Sequence, residues 1–350
     1  MSGVSIIIIN HNYSAFLRAC IESCLSQDLP PAEIIVVDDG SSDRSREIIE
    51  GFVGLVKIVL NDQQGHVASL NSGFFHSTGD ICIFLDADDF LYPQCTKLIL
   101  SRWRQSLSKI QYRLDTVDQL GVDQGMTFPY FPDNLTPSEV KRQASSFGVY
   151  PWTVSTGNAY CRQYLQSILP IDNKIIYRSP DGYLNKLAPL YGDILSLRDV
   201  LGAYRVHGSN AWAQDGKAVR VEPIIRWLKF DIVLQDAFIK HANIRRISVD
   251  NSRTIRSLQQ LEYRLLAFRF APDSTPYIAD NALKLFRLGV CFLPAAPNVS
   301  VVGKFIWLLW IGAMSFSPHW LVKYVFLRGR GQAKRISLLN RLIKASRPSK

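Results

Sequence analysis

Three carboxylates fall within four positions in IFLDADDF, residues 83–90: Asp86, Asp88 and Asp89, directly after an apolar run. Carboxylates this close repel one another and resist desolvation. Solvent or a cation must offset that, so the stretch is either an exposed acidic turn or a cation site. A hard ion such as Mg²⁺ or Mn²⁺ binds through one or two protein carboxylates and completes its shell with phosphate oxygens. The Asp-x-Asp spacing of Asp86 and Asp88 suits that use. A second acidic stretch, VVDDGSSD, carries Asp38 and Asp39, and Asn10 ends the apolar run before it. A carboxylate there can accept hydrogen bonds from a base N–H or a ribose hydroxyl. The stretch QGHVASLNSGF, residues 64–74, opens a helix at Gly65 and puts Asn71 and Gly73 toward its inner side. Glycine at that point lets two backbones approach closely.

These side chains need a frame. Apolar, β-rich runs cover 4–10, 33–40, 56–61 and 80–89, and each ends in polar residues. Helical spacing fills the gaps at 14–27, 43–52, 66–76 and 93–103, with Ser42 or Asp43 as a cap for the second of these. In the first, Phe16, Leu17, Cys20, Ile21, Cys24 and Leu25 share one face. Strand–helix alternation with nearly continuous apolar strands predicts an α/β fold, a doubly wound and mostly parallel sheet flanked by helices. Such sheets bind ligands at the carboxyl ends of their strands. Asn10, the Asp38–Asp39 pair and the Asp86–Asp89 cluster all lie at those ends, so they converge on one crevice. Beyond residue 104 the alternation loosens. A strand is expected at 108–118, a Gly-, Pro- and Asp-rich loop at 119–137, and a helix from Pro137 capped by Thr136. Further strands are expected near 157–161 and 193–206, with a helix over 181–190 between them.

The chain has 350 residues, 47% of them hydrophobic, and a formal net charge of +10. Its opening, MSGVSIIIIN, has neither the basic flank nor the apolar length of a signal segment, which points to a buried strand and a cytosolic N-terminal half. The six scattered cysteines lack metal or redox spacing and read as reduced core thiols. Helical, amphipathic patterns cover 222–242 and 251–270. Residues 305–316 are strongly apolar and Trp-rich, yet short for a bilayer span. From 323 to 350 every charged side chain is basic. A basic run beside Trp-rich apolar helices favours an anionic membrane surface over nucleic acid, for which no binding motif is present. A plain helical core with a solvated basic end is the simpler alternative.

The ordered series IIIINHNYSAFLRACIESCLSQ, EIIVVDDGSSDRSREII, GHVASLNSGF and GDICIFLDADD, continued in GNAYCR, PDGYLNKLAPLYG and LGAYRVHGSN, resembles the inverting family 2 glycosyltransferases of the GT-A fold. The resemblance covers about 1–212. It implies a catalytic domain over 1–213; the Trp-rich apolar and basic sequence beyond it is expected to form a helical, membrane-associating C-terminal region over 214–350. It implies that Asn10 and Asp39 line a nucleobase pocket with Asp38 near it; Gly65 and Asn71, from the helix opening read above, are expected to help form the donor crevice. Asp86 would contact the donor ribose, and Asp88 would bind a divalent metal, Mn²⁺ or Mg²⁺, on the diphosphate of the nucleotide sugar. Asp181 stands at the position of the catalytic base, although its alternative is a helix N-cap. His207 stands where the family has a metal- or diphosphate-contacting histidine, with a turn histidine as its alternative. Two positions depart from the family pattern: Pro180 precedes Asp181 where an acidic pair is usual, and Leu70 replaces a common arginine.

The activity so implied is non-processive transfer of one sugar to a hydroxyl of a glycan or lipid-linked acceptor. The expected location is the inner face of the cell membrane, with the enzyme peripheral to it. The Gln-x-x-Arg-Trp signature and multiple spans of processive polysaccharide synthases are absent from the sequence. A sugar-phosphate nucleotidyltransferase would need a glycine-rich basic loop after the first strand, where this chain has NHNYSAF. A non-catalytic nucleotide-sugar-binding subunit is the remaining alternative.

Overall fold

The structure, a computed structural model, describes residues 3–176, 179–208 and 221–322. The basic run from 323 onward and the expected domain boundary at 213 lie outside the described residues. The chain divides into two units. One comprises Met1–Ala144, Tyr150–Asn210 and Lys240–Ile247, the other Ser145–Val149, Ala211–Ile239 and Ser248–Lys350.

In the first unit, the strands β1 (Val4–Asn10), β2 (Glu33–Asp39), β3 (Lys57–Asn61) and β4 (Ile81–Asp86) form a parallel half-sheet with β1 at its centre. All seven residues of β1 are buried. Its alternate side chains serve two cores, because successive residues of a strand point to opposite faces. Ile6 and Ile8 pack with Leu17, Cys20, Ile21 and Cys24 of α1 (Ser14–Leu25). Ile7 faces α3 (His66–His76), where a Cβ added at Gly73 would run into the Ile7 and Val37 side chains. Glycine at 73 is therefore required for the helix to lie flat on the sheet. Two shorter helices, α2 (Ser45–Glu50) and α4 (Cys95–Arg102), complete this half.

The second half of the sheet departs from the expected pattern. It contains β5 (Phe90–Leu91), β6 (Leu107–Val117), β7 (Asp123–Phe128), β8 (Asn158–Cys161) and β9 (Asp193–Arg205). The strand order is β3-β2-β1-β4-β8-β6-β9-β5, with β7 on the side of β6. The β4–β8, β6–β8, β6–β7 and β5–β9 pairs are antiparallel, while β6–β9 is parallel. The sheet is thus mixed rather than mostly parallel. Residues 123–128 are a strand and not part of a loop. Asp118 Oδ1 accepts from the Leu120 and Val122 amides, and Gly121 has φ of 84°, making a tight turn that returns the chain onto β6. Helices α5 (Pro137–Phe147), α6 (Arg162–Ile168) and α7 (Pro180–Leu187) pack around this half. The expected Thr136 cap forms, its Oγ1 accepting from the Glu139 amide at 3.2 Å.

The second unit is helical among its described residues: α8 (Glu222–Ile244) up to Ile239, α9 (Leu258–Phe270), α10 (Ala282–Phe292) and α11 (Val301–Phe316). Residues 251–257 are not helical as expected, because Ser257 caps α9 by accepting from the Gln260 amide. The core joins Leu261, Leu265, Leu285, Phe292, Ile311 and Met314. A fully buried pair of charges, Arg264 and Asp280, is joined by two hydrogen bonds of 2.8 and 2.6 Å. Cys291 is exposed rather than a core thiol; Cys20, Cys24, Cys82 and Cys95 are buried as expected.

Candidate active site

Strand register brings the first acidic ends together. Asn10 pairs with Asp38, and Ile9 with Asp86, so β2, β1 and β4 finish level with one another. The side chains then divide into those that build the crevice and those that face it.

Asp38 belongs to the scaffold. It is fully buried, and its carboxylate accepts from Asn10 Nδ2 at 2.8 Å, from Ser41 Oγ at 2.5 Å, and from the Ser41 amide and Arg46 Nε. Asn10 Nδ2 also donates to Ser41 Oγ, and Asn10 Oδ1 is a buried acceptor without a hydrogen-bond partner. Asp39 receives the amides of Gln64 and Gly65, each at 2.8 Å, and so fixes the loop that enters α3. Gly65 has φ of 91°, a left-handed value that a side chain would resist. Asn71 is a clamp: its Nδ2 donates to the Ile171 carbonyl and its Oδ1 accepts the Ile171 amide, at 2.8 and 2.9 Å. Each end of the Asn71 amide thus has a partner inside the fold. Leu70 points into the core.

Asp89 is also structural. Its Oδ2 accepts from Thr156 Oγ1 and its Oδ1 from the Arg205 amide at 2.8 Å, tying the end of β4 to β9. Burial, then Asp88 and Asp86, push its carboxyl well above the ordinary range. The Arg205 guanidinium donates to the Asp88 carbonyl at 2.7 Å and lies over the Phe16 and Phe90 rings. The turn that carries the three carboxylates is thereby backed by a fixed cation.

Five titratable side chains group at the crevice. Asp88 Oδ2 lies 2.9 Å from His207 Nε2, both nearly excluded from solvent, and the imidazole packs against Phe16 and Tyr13. Asp86 is partly open, 3.5 Å from His66 Nε2. Burial, followed by the Asp88 charge, pushes the Asp86 carboxyl up to about 7, against a smaller opposing hydrogen bond from Ser155. Asp181 sits in the first turn of α7, after Ser179 in the left-handed region and Pro180. Burial and then Asp86 push its carboxyl up to about 6, while His66 and the first-turn amides pull the other way. His66 is held mainly uncharged by burial, opposed by Asp181, Asp88 and Asp39.

His66 is the site residue that sequence reasoning missed. Its only signal was a histidine directly after Gly65, at the start of a helix whose other end carried the recognisable Asn-x-Gly. Arg205, Tyr13 and Phe16 were likewise unread, because their parts depend on β9 and α1 meeting at the turn after β4.

Among the described residues no group of three or more His, Cys, Asp or Glu side chains converges as a metal cage. Asp88 and His207 supply one oxygen and one nitrogen donor within hydrogen-bond distance of each other. That pair fits an ion of the Mg²⁺ or Mn²⁺ type, which takes few protein ligands and draws the rest of its shell from phosphate and water.

The site thus joins an acidic crevice at the strand ends of a mixed α/β sheet, a further carboxyl at the start of α7 and an Asp–His pair. Residues 5–169 match Glycosyl transferase family 2. With that match the N-terminal part of the chain is a family 2 glycosyltransferase domain. The chain is 33% identical over 215 residues to an uncharacterized glycosyltransferase of Nostoc sp., covering 59% of this chain and 66% of that protein. It is 27% identical over 162 residues to the chondroitin synthase of Escherichia coli, which covers 44% of this chain and 24% of the synthase. In fold it is similar to S. aureus TarS 1-349 in complex with UDP-GlcNAc, at a TM-score of 0.51 and 15% identity, covering 94% of this chain and 92% of that one. The matches thus reach across 66% or less of the two relatives' own lengths.

Proposed function

We propose that this protein transfers a single sugar from a nucleotide-sugar donor to an acceptor hydroxyl by one inverting displacement. The observation that carries the reading is the placing of Asp181 in the first turn of α7, where burial and the Asp86 charge push its carboxyl up to about 6, in a chain whose residues 5–169 match family 2. A base poised near working pH accepts a proton most effectively. Asp181 takes the proton of the acceptor hydroxyl as its oxygen bonds to the anomeric carbon. The bond from that carbon to the donor's diphosphate oxygen breaks on the opposite face, and the nucleoside diphosphate leaves as an anion. A divalent ion held by Asp88 and His207 would supply charge stabilisation for that leaving group. Asp39 and its bonded loop hold the crevice wall at the nucleoside end, and Asp86 faces the ribose.

The UDP-GlcNAc and UDP complexes of TarS make a uridine donor the first to test. The acceptor in this reading is a lipid-linked or envelope glycan, reached from an anionic membrane surface on the cytoplasmic side. Among the described residues no helix is long and apolar enough to cross a membrane. However, α11 exposes Val301, Phe305, Leu309 and Phe316, and Trp320 follows it, each at least 58% exposed. These recur along one side of the helix and lead into the basic sequence from 323 on, the combination that an interfacial helix uses.

The test is a thermal-shift screen of UDP, GDP, dTDP and their sugars, with and without Mn²⁺. A ligand that binds the native state raises the melting temperature. A metal-dependent shift with one nucleotide, followed by release of that nucleoside diphosphate from its sugar, supports the reading. Binding without turnover on any added glycoside would favour a nucleotide-sugar-binding subunit instead.

A further inference from the structure

A fully buried lysine stands behind the base. Lys109 lies in β6, level with Tyr160 of β8 and Ile194 of β9, and is 0% exposed. Its Nζ donates to Asn185 Oδ1 at 2.6 Å and to Gln111 Oε1 at 2.9 Å. It also lies 5.3 Å from the centre of the Tyr150 ring and 5.9 Å from that of Tyr160. Taking an amine out of water is costly, and an apolar residue of similar length would fill the same space. The interactions it makes must therefore account for it.

The shorter of its two hydrogen bonds reaches α7. Asn185 is one turn beyond Asp181 in that helix, and positions four apart lie on the same side. The Asn185 amide is held further by the surrounding structure: Oδ1 also accepts from Tyr160 OH at 3.1 Å, and Nδ2 donates to the Thr153 carbonyl at 2.9 Å. The helix backbone is held by the same wall. Tyr150 OH donates to the Asn185 carbonyl at 2.6 Å, and Tyr164 OH donates to the Leu184 carbonyl. Gln111 is in turn fixed by its Nε2, which donates to the Pro151 carbonyl and Ser196 Oγ. Burial drives the Lys109 amine toward its neutral form, and the Asp181 charge acts in the opposite direction.

We propose that Lys109 is a positioning residue for the base: anchored through Gln111 to the sheet, its amine holds Asn185 and so fixes the rotation of α7 that aims the Asp181 carboxylate. The proposal rests on Asp181 being the base. It involves no contact between Lys109 and substrate.

The test compares Lys109→Met, Tyr160→Phe and Asp181→Asn for nucleoside diphosphate release from UDP-, GDP- and dTDP-sugars, with a simple glycoside as added acceptor. Displacing a reacting group by about 1 Å can lower a rate about a hundredfold. Lys109→Met is therefore expected to lower kcat by about ten- to a hundredfold, with the donor KM within about twofold of wild type. Tyr160→Phe removes one donor to the same Asn185 oxygen and should give a smaller kcat loss of the same kind. Because the two residues act through one acceptor, their losses should combine less than additively. A merely structural role would lower the melting temperature while kcat per folded molecule stayed at the wild-type value. Wild-type kcat in folded Lys109→Met, or in Tyr160→Phe should the first variant not fold, overturns the proposal. Wild-type turnover in Asp181→Asn would instead overturn the assignment of the base.

Discussion

Asp181 and Asp88 carry different burdens, and their variants separate them. Asp181→Asn keeps the shape of the side chain but cannot take a proton. Turnover is expected to fall by about two to four orders of magnitude, the usual contribution of a general base. Nucleotide affinity should stay within a few-fold of wild type, as read by calorimetry. The pH dependence has a defined sign. The carboxyl with pKa pushed up to about 6 must be ionised to act, so kcat should decline as pH falls through about 6. A kcat flat from pH 8 to pH 5 would contradict that role. Asp88→Asn should abolish the Mn²⁺-dependent part of the nucleotide-induced thermal shift and leave any metal-independent part in place. An unchanged Mn²⁺ effect would remove Asp88 from the ion site.

The helix α3 carries two residues, Asn71 and Gly73, that answer to packing. Asn71 bridges to Ile171, 100 residues along the chain, through two hydrogen bonds. Asn71→Leu leaves the Ile171 amide and carbonyl without those partners, a loss of about 1–3 kcal/mol for each buried group left unsatisfied. The expected outcome is a lower urea midpoint with nucleotide affinity unchanged; weakened binding at unchanged stability would instead make Asn71 a donor contact. Gly73→Ala should also destabilise, by about 1–3 kcal/mol, because the new methyl meets Ile7 and Val37. In both cases the sequence made the element legible and left the partner hidden. The bounds of α3, 66–76, followed from apolar spacing and the glycine before it. Ile171 as the partner of Asn71 depends on a chain segment that no local pattern links to α3.

At the scale of the whole molecule the apolar side of α11 is the feature to test. Replacing Phe305, Leu309 and Trp320 together with serine removes three large exposed apolar side chains and little core, since all three are more than half exposed. Flotation with vesicles rich in anionic lipid should fall, and the melting temperature should hold. Raising the salt concentration should weaken the wild-type association, because headgroup attraction is screened over roughly 8–10 Å. Undiminished flotation of the triple variant would remove this face from any membrane role.

The sequence by itself determined the parallel half of the sheet, the helices between its strands, and the acidic ends of β2 and β4, together with Asn10 at the end of β1. Each follows from periodicity over a few neighbouring residues, and strand ends in such a sheet fall on one edge. Tertiary structure decided which polar groups face the crevice. Asp38 and Asp39 are adjacent and chemically identical, yet Asp38 is closed off by Asn10, Ser41 and Arg46, while Asp39 secures Gln64 and Gly65. The antiparallel return of β7, the pairing of His207 with Asp88 and the meeting of His66 with Asp86 were decided there too. Each depends on segments far apart in the chain arriving at one place, and a hydrogen bond over 2.9 Å between residues 119 positions apart leaves no periodic trace. Lys109 marks the same limit: its neighbours in sequence describe a strand, and only the arrival of α7 above it gives a buried amine something to hold.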